Sequence, residues 1–160
     1  MRRPTLRPLF GLLVLLAAFH AAAADFTGEV IGVLDGDTID VLYERQPIRI
    51  RLAAIDAPEK AQAFGQKSRQ ALAALVFRRQ VHVIDQGIER HGRTLGFVMV
   101  DGLNVNAEQV RQGLAWVYRT YSKDPALIAL EREARDSRRG LWSDPYAIPP
   151  WTFRRTKGQR

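Results

Sequence analysis

Asp35-Gly36-Asp37-Thr38 places two carboxylates around a glycine, and Asp56-Ala57-Pro58-Glu59 places two more around a proline. Arg51 precedes the second group, and His91-Gly92-Arg93 adds another guanidinium further along. Taken singly, each has a plainer reading: an Asp-Gly-Asp turn, a strand exit, a solvated hairpin loop. Taken together they form a different set. Two aspartates at the ends of adjacent strands can share one hard cation, because calcium and magnesium accept carboxylate, main-chain carbonyl and water oxygens. A guanidinium stays charged and grips phosphate through a planar fork. A metal, two arginines and a spare glutamate are the parts that phosphodiester hydrolysis requires.

The elements that must position these groups can be read from periodicity. Phe26 to Leu34 is rich in β-branched and apolar residues, and Asp35-Gly36-Asp37 breaks it as a turn. Thr38 to Tyr43 alternates, with Ile39, Val41 and Tyr43 on one face. Glu44-Arg45-Gln46-Pro47 is a second turn, and Ile48 to Leu52 alternates cleanly, leaving Arg49 and Arg51 on the polar face. The strand ends near Asp56-Ala57-Pro58, since proline cannot donate to a ladder. The spacing of Leu72, Leu75 and Val76 predicts a helix over 65–79, and two more strands follow at 81–84 and 94–100. Asn106 is expected to cap a short helix, with Gln109 completing a capping box and Gly113 ending it. Asp124-Pro125 opens a last helix with the stripe Leu127, Leu130 and Ala134. Its pairs Glu131–Arg135 and Arg132–Asp136 are assigned to the exposed side, and Gly140 to the end. Five short strands with outer helices predict an α+β chain: a five-stranded oligonucleotide-binding (OB-fold) β-barrel with three α-helices.

The ends of the chain read differently from its middle. Arg2, Arg3 and Arg7, an apolar run from Leu9 to Phe19 and four alanines before Asp25 have the order of a signal peptide, cut at Ala24/Asp25. The apolar run is shorter than the ~20 residues of a membrane span, so no stable span is expected after processing. The expected domains are therefore a signal peptide over 1–24, the barrel over 25–144 and a Pro-containing basic tail over 145–160, read as extended. The expected location is periplasmic or secreted.

The 160 residues carry a formal net charge of +7. Three arginines lie in the leader and four basic residues in 154–160, so the remaining 17 basic groups balance all 17 acidic ones. A neutral body argues against gripping nucleic acid by bulk charge alone. It leaves room for a local basic cleft. With no cysteine, disulfide frameworks and thiolate zinc sites are excluded.

The ordered set of motifs resembles the staphylococcal nuclease (thermonuclease) family. The resemblance rests on Val33-Leu34-Asp35-Gly36-Asp37-Thr38, on Arg51 through Glu59, on Gly92-Arg93, on Val105 through Ala115 and on Gly140-Leu141-Trp142-Ser143. It implies a barrel with three helices that cleaves DNA and RNA with Ca2+ and leaves 3′-phosphate ends. Asp37 and Asp56 match the calcium carboxylates, and Ala57 the position whose carbonyl also binds the ion. Glu59 matches the general base, and Arg51 and Arg93 the phosphate-binding arginines. A monomer is the expected state.

Three positions depart from the family pattern. Ala57 stands where threonine is common, which keeps a carbonyl and loses a hydroxyl. His91 replaces an aromatic phenol before Gly92. Tyr121 matches one of the tyrosines lining the nucleotide pocket, Arg119 stands at the place of another, and Tyr118 is one position earlier. Tyr118, Arg119 and Tyr121 are therefore the candidate nucleic-acid contacts, with Arg119 able to stack on a base. Three other readings stay open: a barrel that binds nucleic acid without cutting it, a protein whose carboxylates hold calcium only for stability, and a metal-dependent phosphoesterase acting on small substrates, which no residue specifically motivates.

Overall fold

The computed structural model describes residues 24–89 and 91–157. The expected leader lies outside the described residues except for Ala24. Among the described residues, no helix is long and apolar enough to cross a membrane.

Among the described residues, eight strands and four α-helices follow in the order β1 (Phe26–Val33), β2 (Thr38–Tyr43), β3 (Gln46–Leu52), β4 (Ile55–Asp56), α1 (Gly65–Val76), β5 (Gln80–Ile88), β6 (Thr94–Val100), β7 (Leu103–Asn104), α2 (Val105–Arg111), β8 (Trp116–Val117), α3 (Pro125–Asp136) and α4 (Pro150–Lys157), with a 3-10 turn at Gly140–Ser143 before α4. Strands β3, β2, β1, β5 and β6 are hydrogen-bonded in that order, and a β3–β6 pairing closes them into a five-stranded barrel. The closing seam is parallel, joining Ile50 to Thr94 and Leu52 to Gly96; the other four pairings are antiparallel. This is the expected OB-fold barrel, with one more helix than expected.

Alternation explains the barrel. Val30, Ile39, Val41, Ile50, Leu52, Val81, Val83, Val98 and Val100 point inward and are essentially inaccessible. Each such side chain contributes about 1.5–3 kcal/mol on burial. Tyr43, expected on the same face as Ile39 and Val41, is instead half-exposed beside Phe26 at the hairpin end. There β2 meets β3 through a tight turn at Glu44-Arg45, both with positive φ. Helix α1 closes one end of the barrel with Leu72 and Val76.

Four further expectations are corrected. Asn104, not Asn106, caps α2, accepting a hydrogen bond from the Ala107 N–H. Asn106 is wholly buried: its Oδ1 accepts from the Val98 N–H, and its Nδ2 donates to the Ala53 and Gly96 carbonyls. Gln109 is also no capping partner, since its Nε2 donates to the carbonyls of Gly36 and Ser68. Glu131, assigned to the exposed face of α3, is 2% exposed and accepts from the Val117 N–H and the Arg119 guanidinium. A charge four residues from an opposite charge looks the same in sequence whether the pair faces water or clamps a buried strand.

The fourth correction is the C-terminal segment, which is not an extended tail. Its prolines stop the preceding chain, and Pro150 then starts α4, where a missing N–H costs nothing. Trp151 packs edge-on against Trp116 and face-to-face on Tyr118, which orders the helix against the barrel.

Candidate functional site

Two turns that flank neighbouring strands meet at the site. Asp37 ends the turn before β2, where its N–H donates to the Asp35 carboxylate and its carbonyl accepts from the Leu52 N–H. Gly36 makes this turn possible, because a Cβ there would overlap the Ser68 hydroxyl and press on the Ala57 methyl. Asp56 lies in β4, which is held by antiparallel pairing with β8, Asp56 facing Trp116. Glu131 of α3 anchors β8 in turn through the Val117 N–H. Each carboxylate is thus fixed by a chain of contacts running back into the core.

Asp37 and Asp56 are 3% and 1% exposed. Burying two carboxylates together is unfavourable unless cations and donors answer them. Arg51, opposite Thr38 in the β2–β3 hairpin, answers both: one side of its fork ion-pairs with Asp37, and Nη2 lies 2.8 Å from Asp56 Oδ1. The Ala57 N–H donates to Asp37 Oδ2, and the Thr38 hydroxyl donates to Asp37 Oδ1. Burial pulls the Arg51 pKa below its ordinary value, and Asp56 opposes that pull.

Glu59 sits in the loop after β4, with its N–H donating to Gln62 Oε1. Its carboxylate shares a cation with Asp56. Arg154 of α4 reaches across, with Nη1 2.8 Å from Glu59 Oε1 and Nη2 2.8 Å from Asp56 Oδ2. These contacts raise the Arg154 pKa above its usual value. Arg93, just before β6, is held apart from the carboxylate pair by an ion pair to Glu89, which lowers the Glu89 pKa. It remains near enough for its charge to be felt by Arg51.

Of the expected residues, Asp37, Asp56, Arg51 and Glu59 are brought into one cluster, with Ala57 touching it through its main chain. Arg93 stands at its edge. Tyr118 and Tyr121 meet edge to face at 4.9 Å, and Tyr118 stacks on Trp151 with ring centroids 5.4 Å apart and planes 9° from parallel. Arg119 is held by Glu131 at 2.7 Å. Trp116 and Trp142 pack against each other, with the Arg135 guanidinium over both. Arg154 and Glu89 were not singled out from sequence. Glu89 had a signal, its i,i+4 spacing to Arg93; Arg154 had none, because its partners are distant in the chain.

Among the described residues, no three His, Asp or Glu side chains converge as a metal cage. A hard cation here would take carboxylates from Asp37 and Asp56 and complete its shell with carbonyl, water or phosphate oxygens. The donor set fits such an ion. Three carboxylates face the guanidiniums of Arg51 and Arg154, and the second already stands at Asp56 and Glu59 as a cation would.

A family model described as staphylococcal nuclease homologue matches residues 49–144, which include Arg51, Asp56, Glu59 and Arg93. The chain belongs to the staphylococcal nuclease family. Relatives span nearly the whole chain. A micrococcal nuclease from Shigella flexneri is 50% identical over 94% of this chain and 92% of its own. Protein ParB from Escherichia coli is 51% identical over 97% of this chain and 93% of its own. An uncharacterised endonuclease from Escherichia coli O157:H7 is 45% identical over 95% of this chain and all of its own.

Proposed function

We propose that the protein is an exported, calcium-dependent nuclease that hydrolyses DNA and RNA with little sequence specificity and leaves 3′-phosphate ends. Family membership supports nucleic acid as the substrate and hydrolysis as the reaction. The observation that carries the reading is the pair of buried carboxylates, Asp37 and Asp56, bridged by Arg51 with Glu59 beside them. A barrel that only bound strands would have no use for that costly arrangement.

Asp37, Asp56 and the Ala57 carbonyl would hold the calcium ion, which when bound offsets negative charge on the phosphate. Arg51, already fixed between two carboxylates, presents a preorganised guanidinium to the same phosphate. Arg93 leaves Glu89 to take a second phosphate oxygen. Such preorganised donors stabilise the charge that builds up as the phosphorus becomes five-coordinate. Glu59 orients the attacking water and accepts its proton, a role worth about 10²–10⁴-fold. Tyr118 and Tyr121 offer ring faces to bases, which suits a substrate read by stacking and not by sequence.

The test is a cleavage assay on single-stranded DNA, duplex DNA and RNA in calcium, magnesium and chelator, beside Glu59→Gln. Calcium-dependent cleavage that collapses in Glu59→Gln, with products that need dephosphorylation at the 3′ end before extension, is the expected result. Strands that are retarded but uncut in every metal would replace this reading with a binding barrel.

A further inference from the structure

Helix α4 lies beyond residues 49–144 of the family match, yet it touches both halves of the site. At one half Arg154 bonds Asp56 through both Nη atoms and Glu59 through Nη1. At the other, the Trp151 indole covers the Tyr118 ring in a parallel stack. These contacts are made by residues three apart on one short helix, so a single docking event makes both.

The two cations at the carboxylates are not equivalent. The Arg51 side chain is 12% exposed and belongs to the barrel wall, whereas the Arg154 side chain is 43% exposed and enters from solvent. The helix carrying Arg154 is eight residues long, and Pro150 is its one buried residue. Helices that short are marginal without tertiary support, and elements with few buried contacts open at low cost. Docking is also helped from the preceding segment, where the Gln62 side chain donates to the Ile148 carbonyl.

We propose that α4 is a tethered occupant of the active site, with Arg154 standing in the place of the divalent cation and Trp151 in the place of a substrate base. Calcium and nucleic acid then enter by displacing the helix, and each makes entry easier for the other because both compete with the same docked state. This rests on the nuclease reading for the identity of the ligands, but the competition is measurable without catalysis. A site open one-tenth of the time binds its ligand ~10-fold more weakly than a site always open.

The test uses the full-length processed chain with Arg154→Gln, Arg154→Lys and Trp151→Ala. Calcium affinity is measured calorimetrically without nucleic acid. Arg154→Gln is expected to bind calcium ~10-fold more tightly than the unmodified chain, and Arg154→Lys, which keeps the charge but loses the two-pronged grip on Asp56, to fall between the two. Affinity of fluorescein-labelled oligothymidylate is measured in chelator, where Trp151→Ala is expected to bind more tightly. Calcium affinity that is unchanged or weaker in Arg154→Gln overturns the proposal, because Arg154 then does not compete with the ion. Weaker oligothymidylate binding by Trp151→Ala overturns it too, since the indole would then belong to the base platform. Tighter calcium binding by Arg154→Gln with no cleavage in any metal would uphold the docked helix and remove the nuclease reading, so the two fail separately.

Discussion

Arg51 and Arg93 carry the same charge and hold it differently. Arg51 is locked between Asp37 and Asp56, while Arg93 rests on Glu89 at the rim. A lysine at position 93 could keep one ion pair with Glu89 but lacks the planar fork of a guanidinium, on which the proposed phosphate contact depends. Arg93→Lys should therefore lower kcat by about 10²-fold and leave the thermal midpoint nearly unchanged, as measured by steady-state cleavage and calorimetry. A carboxylate away from the site also ties stability to pH. Arg111 and Gln112 hold the Glu108 carboxyl below its ordinary value of 4.5. Its contribution to stability is complete above that value and is lost as pH falls through the lower, folded-state value. Urea midpoints should therefore drop as pH falls below 4.5, and Glu108→Gln should show a shallower drop. That Asp37, Asp56, Arg51 and Glu59 lie together was legible from residue order because they flank two turns, but the ion pairs of Arg51 with both aspartates were not. The grip of Arg154 was not, since nothing near it in sequence marks a partner.

At the scale of elements, β3 was legible because alternation and burial coincide along it, whereas β1 was legible from its β-branched and apolar content and β2 until its alternation fails at the exposed Tyr43. The short helix α2 was misread at its most informative residue. An asparagine before a helical stretch looks like a cap, but Asn104 takes that place, and Asn106 ties α2 to β6 and to the turn leading into β4. Side-chain amides in a core are retained because they satisfy main-chain groups that no strand reaches. Asn106→Ala would leave the Val98 N–H without its partner and deprive the Ala53 carbonyl of a donor. It should cost about 2–4 kcal/mol by urea denaturation. Asn106→Asp should cost nearly as much, because it keeps the acceptor for Val98 but offers no N–H to Ala53 and Gly96.

At the scale of the whole molecule, the neutral body and basic ends take on meaning from where the C-terminal end lies. The basic end was readable as a charge run, but its placement depends on Trp151 finding Trp116 and Tyr118, contacts that no local pattern encodes. Arg155 and Lys157 lie beside Arg154 on the exposed surface of α4. In the double variant Arg155→Gln/Lys157→Gln, the slope of log affinity against log salt for single strands should fall by about 0.7 per phosphate contact removed. Equilibrium titration at several salt concentrations reads this directly.

The parallel β3–β6 seam has a consequence in time. Strands β1, β2 and β3 follow one another through tight turns and can zip together locally, but the seam must wait until α1 and β5 have been laid down between Leu52 and Thr94. Closing so long a loop costs chain entropy before any contact repays it. The barrel should therefore fold as an open meander that closes last, and the Ala53 amide, which bonds the Gly96 carbonyl across that seam, should be among the last protected in pulse-labelled refolding. Since Asp56 is placed by the turn that follows this seam, the chain would acquire its shape before its chemistry.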